Sequence, residues 1–240
     1  MSWVKDSLTS SVGRKIVMGL TGIFLITFLM AHLAGNIPLL FSDGGEAFNN
    51  YAHFMKHNKL IMLSEVILFA GFIIHIYQGI YLYRANSAAR KQKYAIPHKN
   101  SKVSTASKIM GPLGMIILIF LIMHLWDFFA FKYGVRGPLV DAKLPDGSPL
   151  LDADGNAIPD LFIKVIVQFQ ESIYSVVFYP IAMAAVSWHL IHGFQSAFQS
   201  MGWRHKKYTP VIKSVGLVYA ILIPFAFGII PVLIKLGITI

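Results

Sequence analysis

Five stretches of this chain, residues 15–41, 60–83, 108–131, 173–198 and 211–236, are so long and so apolar that few folds can hold them. A helix crosses the hydrocarbon core of a bilayer with about 20 predominantly apolar residues, and all five runs reach that length. Strands of a membrane barrel would instead alternate at period two over about ten residues. These runs are longer than that and apolar on most of their faces. The expected fold is therefore an all-α integral membrane protein of five transmembrane helices, one membrane domain over 1–240 with an exposed outer loop at 132–172. Composition agrees, since 55% of the 240 residues are hydrophobic and only 13% are charged.

Charge between the runs predicts their orientation. The second connection carries Arg84, Arg90, Lys91, Lys93, Lys99, Lys102 and Lys108 without an acidic residue, and the fourth carries Arg204, Lys206, Lys207 and Lys213. Cytoplasmic loops collect Lys and Arg, which puts the N-terminus inside and the C-terminus outside. In the 132–172 loop Asp141, Asp146, Asp152, Asp154, Asp160 and Glu171 outnumber Lys132, Arg136, Lys143 and Lys164. Topology thus accounts for the net charge of +10, and no aromatic-basic module points to nucleic acid. Lys5, Arg14 and Lys15 precede the first run as they would in a signal peptide, but the run outlasts the usual 7 to 15 apolar residues and reads as a retained span. Asp146-Gly147 and Asp154-Gly155 are strong turn dipeptides and predict a small hairpin over 143–159. Asp152 and Asp154 do not meet the spacing of an EF-hand calcium loop.

The chemistry concentrates in histidines. His32, His75, His124 and His189 lie one in each of the first four apolar runs, and an imidazole at such depth needs a partner. With a rise of about 1.5 Å per residue, His32 and His124 fall roughly 24 to 26 Å from the cytoplasmic ends of their spans, and His75 and His189 roughly 14 to 15 Å from theirs. They sort into an outer pair on spans one and three and an inner pair on spans two and four. Two imidazoles on one iron saturate it, which suits electron transfer between stacked haems better than substrate activation. A porphyrin plate needs the helix surface beside its ligand cut back. Gly79 follows His75 by four residues and Gly193 follows His189 by four, each on the ligand's own face. His192 shares a face with His189 and competes with it as ligand. The four-helix part of the bundle is accordingly expected to bind haem. The chain has no cysteine, so it cannot itself hold a cysteine-ligated iron–sulfur cluster.

These segments resemble the five-helix, di-haem cytochrome b membrane-anchor subunit of bacterial succinate dehydrogenases and fumarate reductases, the succinate:menaquinone oxidoreductases. The likeness covers nearly the whole chain. It is carried by Phe28-Leu-Met-Ala-His32, by Gly45-Glu-Ala-Phe-Asn-Asn-Tyr-Ala-His-Phe-Met55, and by Ile74-His75-Ile-Tyr-Gln-Gly79-Ile-Tyr81. The third span adds Ile122-Met-His124-Leu-Trp126, and the fourth adds His189-Leu-Ile-His-Gly193 with Met201-Gly-Trp203 behind it. The resemblance implies two b haems, held by His32 with His124 distally and by His75 with His189 proximally. His192 has no ligand counterpart in that pattern. It also implies partners on the cytoplasmic side, a flavoprotein with covalent FAD and a subunit with three iron–sulfur clusters, so no residue of this chain acts on succinate. Electrons would pass to or from menaquinone near the outer face of a bacterial cytoplasmic membrane, as part of a respiratory chain.

A quinone site needs an apolar slot, hydrogen-bond donors and a proton-exchanging group. Glu46 and Asp127 are the candidates for proton exchange, and Asn49, Asn50 and His53 for donors. Arg14, Lys15, Arg84 and Lys108 stand where the propionates of an inner haem would reach. Some fumarate reductases of this class carry a glutamate two residues before the fourth-helix ligand; here that position is Ser187, which weakens a transmembrane proton path and leans toward succinate oxidation. Two other classes stay open. One is the cytochrome b of another quinone-linked complex, in which a single helix supplies more than one ligand. The other is a non-haem transporter that uses its histidines as proton relays.

Overall fold

The computed structural model describes residues 6, 9–88 and 109–239, and within these it is all-helical. Lys5, Lys91, Lys108 and most of the basic second connection lie outside the described residues. The helices are α1 (Ser11–Asn36), α2 (Glu46–His57), α3 (Lys59–Ala88), α4 (Met110–His124), α5 (Leu161–Glu171), α6 (Ile173–Ser200) and α7 (Thr209–Leu236). A 3-10 turn, Ile37–Leu40, extends α1, and a π-helical turn, Leu125–Phe129, carries α4 into a last turn at Ala130–Lys132. Five of these elements are long and apolar enough to cross a membrane: Ser11–Leu40, Lys59–Ala88, Met110–Lys132, Ile173–Ser200 and Thr209–Leu236. They coincide with the five apolar runs to within a few residues, except that the second extends five residues further, through Ala88.

Side chains on the outer surfaces of these helices are apolar, among them Leu20, Ile67, Ile73, Ile119, Ile122, Ile181 and Leu222, as a lipid-facing surface requires. Pro180 lies within α6, and Pro224 and Pro231 within α7. Proline is tolerated in such helices where neighbouring helices satisfy the freed backbone groups, and both α7 prolines are fully buried.

The chain divides into two compact units. The first comprises Met1–Phe28, Ile67–Ile116 and Ala185–Leu222. Here α1 and α6 approach closely, because a Cβ on Gly19 would lie 3.2 Å from the Ala197 carbonyl; small residues permit such backbone contact in membrane bundles. Phe28 meets Phe72 edge-on at 6.3 Å, and the Tyr219 hydroxyl donates to the Ile26 carbonyl at 2.5 Å, tying α7 to α1.

The second unit comprises Leu29–Val66, Ile117–Ala184 and Ile223–Ile240. Its core joins Leu39, Leu40, Val165, Phe169, Val176, Tyr179, Ile230 and Ile234. Two short helices here were not expected from the apolar runs. Helix α5 occupies part of what reads as the exposed 132–172 loop: it is too short to span a bilayer and buries only the stripe holding Val165 and Phe169. Asp160 caps it by accepting from the Ile163 amide at 2.9 Å, a contact worth about 1 kcal/mol. Helix α2 is likewise amphipathic and begins behind Asp43, whose carboxylate accepts from the Gly45 and Ala47 amides at 2.9 and 2.8 Å.

The loop before α5 folds into a small double hairpin, with antiparallel bridges Asp141–Pro159, Lys143–Pro149 and Leu151–Ala157. Its turns fall at the two Asp-Gly pairs, where Gly147 and Gly155 take positive φ of 85° and 81°. Ala142, Leu150 and Ile158 close a miniature core beneath them.

Candidate functional site

The two units each bring one pair of intramembrane histidines together. In the first unit the rings of His75 on α3 and His189 on α6 have their centroids 6.4 Å apart, at an interplanar angle of 63°. In the second, His32 on α1 and His124 on α4 stand 5.7 Å apart at 83°. These are the pairs expected from depth along the sequence. The ring that meets His75 is that of His189, the residue four before Gly193, while His192 is half-buried on the same helix.

Whether such pairs fit an iron can be tested on distance. A metal–imidazole bond of about 2.0 Å, plus about 1.15 Å from ring nitrogen to ring centre, puts two trans imidazole centroids roughly 6.3 Å apart. The His75–His189 separation matches. The His32–His124 rings would have to part by about half an ångström to reach the same figure. Nδ1 of His124 and of His189 is buried without a hydrogen-bond partner, as is Nδ1 of His53 outside the pairs. Among the described residues no group of three or more His, Cys, Asp or Glu could hold a metal ion; a haem would ask the protein for two imidazoles only.

The ring environments differ. His75 Nδ1 lies 3.1 Å from the Thr21 hydroxyl on α1. His124 is wrapped in aromatic side chains: Phe120 stacks at 5.6 Å, with Phe128 at 5.4 Å and Tyr179 at 6.1 Å. Phe227 of α7 lies 5.4 Å from the His32 ring. Asn36 donates to the His32 carbonyl at 2.7 Å and comes within 3.4 Å of its Nδ1.

The two glycines expected to admit a porphyrin edge are placed differently. A Cβ on Gly193 would meet nothing within 4 Å, whereas one on Gly79 would meet the flexible end of Met18 at 3.6 Å. Gly193 therefore faces open space and Gly79 is covered by a movable side chain. Arg14 is half-buried, stacks on Tyr81 at 3.8 Å and reaches the buried Gln78 carbonyl oxygen at 3.4 Å. Arg84 and Lys15 are exposed.

At the other end of the spans, Asp127 sits in the π-helical turn that begins directly after His124, a kind of irregularity common at functional sites. It accepts from the Tyr179 hydroxyl at 3.2 Å and pairs with Arg136 at 3.6 Å. Glu46 is exposed in the first turn of α2, where a negative charge is favourable. Asn49 is buried and fully engaged: its amide oxygen accepts from the Leu161 and Phe162 backbone at 3.0 and 2.9 Å, and its amide nitrogen donates to Asp160 at 3.0 Å. Its side chain holds α2 to the start of α5, a task that competes with donation to a quinone. Asn50 is exposed, and His53 stacks on His57 at 4.1 Å with its Nε2 3.7 Å from Asp152.

Two side chains that the sequence reading passed over belong in this description. Glu65, near the start of α3, accepts from Lys132 at 2.6 Å and from the Tyr133 hydroxyl at 2.7 Å. Burial and the Glu65 hydrogen bond push the Tyr133 phenol up, keeping it a donor. A carboxylate inside an apolar run is a signal in its own right and would have singled out Glu65. Thr21 carries no such mark, because its partner His75 lies 54 positions away. Comparison with protein-family models, with curated proteins and with solved structures finds no match for this chain.

Proposed function

We propose that this chain is the membrane-anchor cytochrome b subunit of a bacterial succinate:quinone oxidoreductase, carrying two b haems between a cytoplasmic iron–sulfur subunit and menaquinone. The observation that carries the reading is the pairing of four imidazoles from four different helices, His75 with His189 and His32 with His124. Held there by paired imidazoles, each haem would supply one-electron transfer.

The chain's own residues supply ligation, insulation and proton handling. His75 and His189 hold the inner group, with Gly193 leaving room beside its ligand. His32 and His124 hold the outer one inside a sleeve of Phe120, Phe128, Tyr179 and Phe227, whose low polarity excludes water. Arg14, neutralising charge from a half-buried position, is the better candidate for a propionate than exposed Arg84. On the quinone side Asp127 and Glu65 are the carboxylates placed to take up or release protons, each poised between a tyrosine hydroxyl and a cation. The positive-inside distribution of Lys and Arg supports an N-terminus in the cytoplasm. Succinate chemistry, FAD and the iron–sulfur clusters belong to the partner subunits.

A reduced-minus-oxidised visible spectrum and haem quantification of the purified complex test this directly, with two b haems per chain expected. His75→Ala or His189→Ala should remove one haem, and His32→Ala or His124→Ala the other. A colourless complex sinks the proposal, and a variant that keeps both haems removes that residue from the ligand set.

A further inference from the structure

His75 has a polar partner on a neighbouring helix, Thr21, and the chemistry of that partner decides which ring nitrogen is left for a ligand. Thr21 Oγ1 lies 2.9 Å from the Val17 carbonyl and 3.2 Å from the Met18 carbonyl of its own helix, the back-bonding that helical threonines adopt. A hydroxyl has one proton to donate, and the shortest of its three contacts, to the Val17 carbonyl, assigns that proton to the helix backbone. What Thr21 offers His75 at 3.1 Å is therefore a lone pair. The proton of that contact must come from His75 Nδ1–H, and a neutral imidazole protonated at Nδ1 keeps its free lone pair on Nε2. Gly22 completes the seat: a Cβ there would lie 3.6 Å from His75 Cε1, so the ring rests against the α1 backbone. His189 and His124 have no such support at Nδ1.

We infer that Thr21 is a positioning residue for His75, holding it in the Nδ1–H tautomer with Nε2 presented as an iron ligand. This rests on the haem reading above. A hydrogen bond accepted from the distal ring nitrogen fixes ring orientation and raises the basicity of the ligating one. Thr21 thus makes His75 the stronger donor of its pair and lowers the midpoint potential of the haem they share.

The test uses the intact complex with Thr21→Val, which keeps the shape and loses the oxygen, and Thr21→Ser, which keeps the oxygen. Thr21→Ala serves as the second oxygen-free variant if the valine form does not assemble. Redox titration, the low-spin EPR signal of the oxidised complex and haem retention against a competing apo-haemoprotein are measured on each. The oxygen-free variants should raise the potential of the haem that His75→Ala removes, shift its EPR signal and weaken its retention by about 10- to 100-fold. Thr21→Ser should restore all three. Wild-type potential, EPR signal and retention in the oxygen-free variants, in a background where His75→Ala still removes one haem, overturn the role of Thr21 alone. If His75→Ala keeps both haems, the ligand assignment itself falls, and this inference with it.

Discussion

Replacing Asn49 by alanine isolates the contact that joins α2 to the short helix α5. Asn49 is only 2% exposed, and its side chain accepts two backbone amides, Leu161 and Phe162, while donating to Asp160. Each such bond contributes about 1 kcal/mol net, and a buried donor left without a partner costs about 1–3 kcal/mol. Asp160 still caps the Ile163 amide in the variant, so α5 persists, but its first two amides lose their acceptor. A floor of about 2 kcal/mol of local stability corresponds to roughly 30-fold faster opening. Hydrogen–deuterium exchange of the complex in lipid nanodiscs, read on peptides covering 158–171, should show that increase, with the α3 and α6 peptides unchanged. Exchange that rises less than threefold would refute the role assigned to the Asn49 amide and return the residue to the pool of quinone contacts.

Gly45→Ala acts on the same junction, because Gly45 has φ +91° and a Cβ there would fall 2.3 Å from the Phe162 ring; a cost of about 2 kcal/mol or more is expected, read as lowered thermal stability of the assembled complex. Hydrogen bonds from Asn156 hold the Asp152 carboxyl below the usual carboxylate range. A lowered folded pKa means the turn is favoured above the ordinary carboxylate pKa and loses that support as pH falls through the lower, folded value. Protection of amides 154–156, taken relative to the intrinsic exchange rate at each pH, should therefore fall on acidification below about pH 4, and Asp152→Asn should flatten the dependence; a flat protection profile in the unsubstituted protein would count against it. Asp127→Asn keeps an acceptor for Tyr179 but cannot exchange a proton, so quinone turnover should fall by about 100-fold or more with both haem spectra intact. Unchanged turnover would leave Glu65 as the carboxylate to pursue.

What could be read from the chain alone tracks the range of the forces involved. A spanning helix is dictated by local composition, because backbone groups in lipid must be satisfied within the segment, and the five spans are visible at a glance. The Asp-Gly turns at 146–147 and 154–155 are equally local, since the positive φ at Gly147 and Gly155 is a property of two residues. Helices α2 and α5 were not legible. Each is held by partners far along the chain, Asn49 reaching Leu161 and Phe162, and neither has the length that makes a helix stand out by pattern.

The histidine pairs lie between these cases. Counting residues from charged boundaries gives depth, and side chains at equal depth on different helices are the ones able to meet, which is how His32 sorts with His124 and His75 with His189. Depth says nothing about what stands behind each ring. That a threonine oxygen backs His75 while Nδ1 of His189 has no hydrogen-bond partner, or that Met18 covers Gly79 while Gly193 stays open, depends on helix rotation, and helix rotation is set by packing against neighbours. The proposed ligand set is thus a one-dimensional property of the chain, whereas the surroundings of each ring are three-dimensional. On the proposed haem reading, Thr21 variants should therefore shift a potential that no substitution of the histidines themselves would adjust without losing the haem.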